Sequence, residues 1–539
     1  MTVSGANEWW RGAVLYQIYP RSFADSNGDG LGDLPGITAK LDYVASLGVD
    51  AIWISPFFKS PMKDMGYDVS DYCDVDFSFG TIADFDALMT RAHALGLKVM
   101  IDLVLSHTSD QHPWFAQSRK DKTNTRADWY VWADPKPDGS PPNNWLSIFG
   151  GSAWAWDSRR RQYYLHNFLV EQPDLNFHNP DVRKALLDAV TFWLHRGVDG
   201  FRLDTVNFYF HDQLLRDNPP ALNRDAPDVP ASNPYTYQNH IYDKTRPENL
   251  GFLRDLRALL NQYPGKTTVG EVGASERGLE VMGEYTAGGD KLHMCYAFDL
   301  LSDRFSAPYI RARLEVYEKI VVDGWGCWAF TNHDVMRSVS RWGFEDIADQ
   351  AAPLLLALQV SLRGSPCIYE GEELGLAEAV LAYKDIQDPY GKAFWPDFKG
   401  RDGCRTPMPW DSSPGAGFST GTPWLPIPDA QRKRAVSVQE PQPASALNRA
   451  RQILHWRRTV PALIRGEMSF LGSPDEVLAF VRRHDRRSIL CLFNLGRSAR
   501  EFDAASFTSV TPAEGHGFKS SLRGKTIELP ALTAYYGWV

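Results

Sequence analysis

The chain has 539 residues, a net charge of -9 from 57 Lys+Arg against 66 Asp+Glu, and 43% apolar and 23% charged residues. That composition excludes disordered, collagen-like and low-complexity architectures, and the acidic balance argues against a nucleic-acid or anionic-membrane surface. At roughly 150 residues per domain the length allows three or four units, or one large barrel with an insertion and an extra module.

Met1 to Glu8 has no basic stretch followed by an apolar core, so it is not read as a signal peptide. Ala13 to Tyr19 is the first predicted strand. Ile37 to Leu47 carries apolar residues at helical spacing and stops at Gly48, a natural C-cap. Val49 to Ser55 is the next strand, Ile82 to Leu95 a helix ended by Gly96, and Lys98 to Leu105 the third strand. Thr108 to Phe177, rich in Trp, Pro, Asn and Asp, is too long for a plain connection and reads as an inserted domain. Val182 to His195 is helical and leads through Gly197 into the strand Val198 to Leu203. The region from Phe208 to Leu250, with Asn218-Pro219-Pro220 and Asp225-Ala226-Pro227, is an elaborated loop. Further strands are Thr267 to Glu271, Met294 to Phe298, Cys327 to Thr331 and Pro366 to Tyr369.

These are eight apolar strands separated by helical patterns. Strands so uniformly apolar are buried on both faces, as in a parallel sheet, and eight β/α units predict a closed (β/α)8 TIM barrel. A doubly wound open sheet is the alternative; it lacks a Gly-x-Gly-x-x-Gly fingerprint after the first strand. Leu374 to Pro443 is irregular. Beyond the helical stretch Ala446 to Arg458, the runs Val477 to Arg482, Ser488 to Asn494 and Thr526 to Leu529 predict a terminal antiparallel β-domain. The expected division is 1–107 with 178–460 for the barrel, 108–177 for the insertion and 461–539 for a β-sandwich.

The cysteines, Cys73, Cys295, Cys327, Cys367, Cys404 and Cys491, are scattered without a Cys-x-x-Cys pair, which speaks against zinc. No apolar run approaches the ~18 residues of a membrane span; Ala351 to Leu362 comes nearest and is interrupted by Pro353 and Gln359. The chain is read as soluble and cytoplasmic. Its 18 Trp and 22 Tyr supply flat faces with polar tips that suit sugars, although large aromatic cores account for most of them.

Catalytic residues of such barrels come from the C-terminal ends of the strands. Those ends carry Asp102 and His107, Arg202 and Asp204, Glu271, and His333 and Asp334. One strand-end Asp is ordinarily a cap or turn residue, but four carboxylates in one mouth repel one another and point to chemistry. Asp204 and Glu271 end neighbouring strands ~4.8 Å apart, which would place their carboxylates about 5 to 6 Å apart, as in a retaining glycosidase. Arg202, two residues before Asp204 on the same strand face, is expected to hold Asp204 ionised with a lowered pKa.

The blocks Asp102-Leu103-Val104-Leu105-Ser106-His107, Gly200-Phe201-Arg202-Leu203-Asp204, Val269-Gly270-Glu271-Val272 and Phe330-Thr331-Asn332-His333-Asp334 resemble the ordered blocks of the α-amylase family, glycoside hydrolase family 13. Gln172-Pro173-Asp174-Leu175-Asn176 resembles its additional block, and within the family the chain looks like the α-glucosidase branch. The resemblance runs from about Trp10 to the C-terminus. It implies Asp204 as nucleophile, Glu271 as general acid/base and Asp334 as the third carboxylate, with His107, Arg202 and His333 contacting the substrate. It implies that Asp64 and Arg401, in Asp64-Met65-Gly66-Tyr67-Asp68 and Gly400-Arg401-Asp402-Gly403-Cys404-Arg405, clamp the 4-hydroxyl of the terminal glucose above Tyr67. Thr205, after the nucleophile, implies a preference for α-1,4 over α-1,6 linkages. Phe149 and Phe168 of the insertion are candidates to line the pocket and equally suit a core. Ser106 departs from the Asn that many members carry beside the His.

Asp25-Ser26-Asn27-Gly28-Asp29-Gly30-Leu31-Gly32-Asp33 places oxygen donors at alternate positions, like the first half of a calcium loop, but position twelve is Gly36. A Gly/Asp turn without an ion is the plain alternative. The expected site uses Asp25, Asn27, Asp29, Leu31 and Asp33 for a structural Ca2+ or Mg2+, with no organic cofactor. The expected enzyme is an exo-acting retaining α-glucosidase working on small α-glucosides, with sugar or alcohol acceptors replacing water in transfer. It is expected to be a monomer or homodimer engaging neither nucleic acid nor membrane. A transglucosylase or sucrose-processing member would share the same carboxylates. A catalytically dead transporter-accessory relative would carry a membrane helix and lack some of them.

Overall fold

Eight parallel strands form the frame: β1 Leu15–Ile18, β2 Ala51–Ile54, β3 Lys98–Leu103, β4 Gly200–Leu203, β5 Thr267–Val272, β6 Met294–Ala297, β7 Cys327–Trp328 and β8 Ser365–Tyr369. The computed structural model describes residues 8–222, 229–273 and 277–539. Met1 to Asn7, from the signal-peptide reading, and the Asp225-Ala226-Pro227 turn lie outside the described residues.

The strands are hydrogen-bonded in the order β6-β5-β4-β3-β2-β1-β8-β7. A parallel bridge between Cys295 and Gly326 joins β6 to the residue before β7, so the sheet closes on itself and the open doubly wound alternative falls away. All eight expected strands are present. Strand β7 is shorter than expected, because the chain leaves the ladder after Trp328 instead of continuing to Thr331. The barrel interior holds Leu15, Trp53, Met100, Val269, Met294 and Cys367 in one apolar cluster, a packed core and not a pore.

Helices follow the strands on the outside. After the single turn Pro20–Phe23, the helix Leu34–Leu47 begins where Asp33 Oδ1 accepts the Gly36 N–H at 2.6 Å and ends at Gly48, whose φ of 89° only glycine adopts without strain. Ile82–Ala94 starts with a capping box between Thr81 and Asp84. Ala348–Ser361, the most apolar stretch, is buried from Ala351 onward, and its Gln359 amide donates to the Trp328 and Cys367 carbonyls at 2.8 and 2.7 Å. Among the described residues no helix is long and apolar enough to cross a membrane. All six cysteines are free; five are buried and Cys73 is partly exposed.

Between β3 and the helix Pro180–His195 lies a three-stranded antiparallel sheet, Trp132–Ala133, Trp154–Asp157 and Gln162–Leu165, with its own core around Trp145 and Trp154. The bridge His107 to Asp174 ties this segment to the chain just after β3, and the bridge Tyr130 to Leu175 closes the segment on itself. It therefore sits over the barrel mouth. After the helix Ala446–Arg458 the chain forms a five-stranded and a three-stranded antiparallel sheet. The runs expected there are strands, and so are Glu467–Phe470, Arg500–Asp503, Thr511–Pro512, Ser521–Arg523 and Thr533–Trp538. Buried Arg482 and Arg457 donate to the Ser361 and Val360 carbonyls, placing cations at the negative end of Ala348–Ser361.

Candidate active site

The site is organised around one guanidinium. Arg202, wholly buried on β4, donates from Nη1 to Asp102 Oδ1 at 2.9 Å and to Asp204 Oδ1 at 2.6 Å, and its Nη2 meets Glu271 Oε1 at 2.8 Å. The register explains this: β3 and β5 flank β4, with Asp102 beside Arg202 and Gly270 beside Leu203, so side chains of three adjacent strands face one point. The Tyr296 hydroxyl, from β6, donates to Glu271 Oε1 at 2.8 Å. Thr205 completes the ring: its N–H donates to Glu271 Oε2 at 3.0 Å and its hydroxyl to Asp204 Oδ2 at 3.2 Å.

Burial raises the pKa of Asp204 to about 7; Arg202 opposes this and Asp102 adds to it. The expected net lowering by Arg202 is thus reversed, because one cation is shared among three buried carboxylates and cannot hold all of them ionised. Glu271 is likewise raised by burial, to about 7, with Arg202 opposing and Asp204 reinforcing the shift. Asp102 is raised to about 6, again by burial first. The cluster therefore retains a proton near neutrality.

Asp334 behaves in the opposite way. Burial alone would raise it, yet the surrounding cationic groups bring it well below the usual carboxylate range. Its Oδ1 contacts Arg405 Nη2 at 2.8 Å and Arg401 Nη1 at 3.2 Å, while His333 Nε2 lies 3.2 Å from Oδ2. His333 is kept neutral by burial, so the two guanidiniums carry this effect. Gln17 Nε2 donates to His333 Nδ1 at 2.8 Å, which leaves the His333 proton on Nε2, between the Tyr67 hydroxyl at 2.5 Å and Asp334.

Arg401 Nη2 binds Asp64 Oδ1 at 2.8 Å and Asp388 Oδ1 at 2.7 Å. Tyr67 stacks on His333 with centroids 5.3 Å apart and an interplanar angle of 2°. His107, held neutral by burial with a pKa lowered to about 4, has Nε2 3.1 Å from the Tyr67 carbonyl and 3.2 Å from Gln172 Nε2. Arg401, Asp64, Tyr67 and His107 line a cavity of 860 Å3 together with Asp204, Thr205, Glu271 and Asp334. Phe149 and Phe168 line it too: Phe149 stacks on Tyr390 at 4.8 Å under the Arg401 guanidinium, and Phe168 lies 5.1 Å from His107. Arg202 and His333 stand behind the wall and act through their neighbours. The structure thus gathers all the candidate catalytic and substrate residues into one place.

Four contributors were not singled out in the sequence. Asp388 and Arg405 come from the irregular segment after β8, which carries no periodic signal. Tyr296 lies inside the predicted strand Met294 to Phe298, where nothing marked it out. Phe208 lines the outer cavity from the loop after β4.

The loop 25–33 lies apart from this chemistry. Asp25 Oδ1 accepts the Asn27 and Gly28 N–H groups, and Oδ2 accepts Gly30 N–H and the Ser419 hydroxyl. Asn27 and Asp29 each accept the N–H two residues on, at 2.8 Å. Asp33 caps the helix and also takes both donors of Ser26. Among the described residues no three Asp, Glu, His or Cys side chains gather as an ion site. The donor types suit a hard cation, whereas the oxygens of Asp25 and Asp33 are already committed to the protein's own donors.

Residues 17–466 match the family model for the alpha amylase catalytic domain. A probable alpha-glucosidase of Rhizobium meliloti (strain 1021) is 60% identical over 98% of this chain and 97% of its own length. An oligo-1,6-glucosidase of Heyndrickxia coagulans is 38% identical over 92% of this chain and 94% of its own. The crystal structure of the alpha-glucosyl transfer enzyme XgtA superimposes with a TM-score of 0.96 at 55% identity, covering 98% of this chain and 99% of that one.

Proposed function

The chain belongs to the alpha-amylase family, glycoside hydrolase family 13, and from that premise we propose that it is an exo-acting retaining α-glucosidase that releases α-glucose from the non-reducing end of maltose-type α-glucosides. The observation that carries this reading is the Arg202 guanidinium bridging Asp204 and Glu271, beneath a pocket whose far wall is the Arg401–Asp64 pair. Two carboxyl groups on one guanidinium suit a retaining mechanism, in which no water stands between nucleophile and sugar.

Protonated Glu271 donates to the glycosidic oxygen while ionised Asp204 attacks the anomeric carbon, forming a β-glucosyl ester and expelling the aglycone. Glu271, now a carboxylate, takes a proton from water, which opens the ester and restores the α configuration. Glu271 Oε1 already faces Tyr296 O–H and Arg202, so the mobile proton belongs on Oε2. Asp334, held ionised by two arginines, binds the hydroxyls of a distorted ring.

Release of nitrophenol from a nitrophenyl α-glucoside, with glucose removed one unit at a time from malto-oligosaccharides, tests the reading. Rapid internal cleavage of a chain blocked at its non-reducing 4-hydroxyl would point to an endo-acting amylase. The likeness to an α-glucosyl transfer enzyme and the wide outer cavity favour a second outcome at the same site, in which a sugar or alcohol replaces water; a sucrose-processing activity belongs to this reading. Thr205 beside the nucleophile supports maltose over isomaltose, although a relative is named oligo-1,6-glucosidase. The donor types of loop 25–33 suit a structural Ca2+ or Mg2+ on Asp25, Asn27, Asp29, the Leu31 carbonyl and Asp33, an ion that would replace some of the amide and hydroxyl contacts now made to Asp25 and Asp33. We read the protein as a cytoplasmic monomer or homodimer, and its acidic composition argues against nucleic-acid or anionic-membrane partners.

A further inference from the structure

Ser106 has no role in the reaction as described so far, yet its side chain occupies a decisive position. It is buried at the end of β3, and its Oγ lies 2.9 Å from His107 Nδ1 and 3.2 Å from Thr205 Oγ1. Thr205 itself stands in the left-handed region, with φ 39° and ψ 49°. A β-branched residue enters that region only when its surroundings hold it there. The holding bonds are those to the catalytic pair: Thr205 N–H to Glu271 Oε2 and Thr205 hydroxyl to Asp204 Oδ2. The left-handed turn thereby aims one residue's two donors at both carboxyl groups.

The proton inventory gives the chain a direction. Ionised Asp204 only accepts, so the Thr205 hydroxyl proton goes to it. Thr205 Oγ1 then accepts from Ser106, and Ser106 Oγ accepts from His107 Nδ1–H. His107 Nε2 is left with a lone pair for the Gln172 amide, 3.2 Å away.

We infer that Ser106 is a positioning residue that fixes the Thr205 hydroxyl on the nucleophile and, through it, sets linkage preference. The Thr205 hydroxyl, held on Asp204 at the cavity wall, is then the group that discriminates between leaving sugars. Without Ser106 the hydroxyl loses that fixed orientation and the discrimination relaxes. This inference rests on the α-glucosidase reading above.

The test is a double-mutant cycle with Ser106→Ala and Thr205→Val, following kcat and KM on maltose and isomaltose with folding checked by circular dichroism and Tm. Ser106→Ala should lower the maltose-to-isomaltose ratio of kcat/KM by about five- to tenfold, and mainly through kcat. Thr205→Val should lower it as much, and the double variant no further, because both act through one hydroxyl. Thr205→Ser, which keeps the hydroxyl, should retain most of the wild-type ratio, and comparing it with Thr205→Val decides the matter should Ser106→Ala fail to fold. Additive effects, an unchanged ratio in folded Ser106→Ala, or equal ratios in Thr205→Ser and Thr205→Val would overturn the inference while leaving the glucosidase reading intact. A wild-type protein inactive on every α-glucoside would overturn that reading and this inference with it.

Discussion

Arg401 and Asp64 are 337 positions apart in the chain and meet at 2.8 Å across the cavity, both less than a tenth exposed. One comes from the loop after β8 and the other from the loop after β2, so the contact closes the barrel mouth on one side. An Asp that accepts and an Arg that donates can together satisfy one sugar hydroxyl completely, and they leave no path for a longer chain behind it. Asp64→Ala should therefore cost on the order of 2 to 4 kcal/mol in kcat/KM, since it leaves Arg401 and the hydroxyl without their shared acceptor. Kinetics on maltose settle this; a loss confined to longer substrates would mean that the pair does not bind the terminal glucose.

Asp204→Asn should abolish turnover and preserve the fold. The amide is nearly isosteric; its oxygen can still accept from Arg202 while its N–H group faces the Thr205 hydroxyl, which can turn to accept, but it cannot form the ester. Wild-type-like nitrophenol release from the purified variant would remove Asp204 from the nucleophile's role.

The frame and the centre of this site were legible in the sequence for a physical reason. Strands buried on both faces must be apolar along their whole length, so β1 to β6 stand out, and a charged residue at the end of such a run needs a function to justify it. Asp204, Glu271 and Asp334 are residues of that kind. Asp388 and Arg405 were not legible, because they lie in an irregular segment and matter only through Arg401 and Asp334, contacts that no local pattern encodes. The pKa of Asp204 was misjudged for a related reason. Arg202 was visible two residues away, but its division among Asp102, Asp204 and Glu271 exists only once three strands are side by side. The missed C-terminal strands are mostly short and partly exposed, where alternation is too brief to register.

The loop 25–33 offers a measurement independent of activity. If a divalent ion binds there, Ca2+ or Mg2+ should raise Tm in the chelator-treated protein, and Asn27→Ala with Asp29→Ala should remove that response. Binding at a hundred times Kd adds about 2.7 kcal/mol of stability, enough for a shift of a few degrees in a protein of this size. A Tm indifferent to chelator and to added ion would leave the loop as a Gly/Asp turn sustained by its own amide contacts.

The pH dependence follows from the shared proton. Glu271 and Asp204 are both raised to about 7, and the productive form carries one proton between them, on Glu271. Below this range Asp204 is protonated and cannot attack; above it Glu271 is ionised and cannot donate. The free enzyme should therefore show a bell in kcat/KM centred near neutrality, with limbs that belong to the pair. Glu271→Gln should lose the alkaline limb in the residual reaction with a nitrophenyl glucoside, whose leaving group needs no proton, and keep an acid limb due to Asp204. Stability should follow the same groups with a definite sign. A carboxyl group raised in the folded state binds its proton more tightly there than in the unfolded chain. Its contribution is fully present below the unfolded value of 4.5 for Glu271 and is lost as pH rises through about 7. Glu271→Gln removes that dependence, so its Tm relative to wild type should improve between pH 5 and pH 8. A Tm difference constant across that interval would mean that Glu271 is not the group that holds the proton.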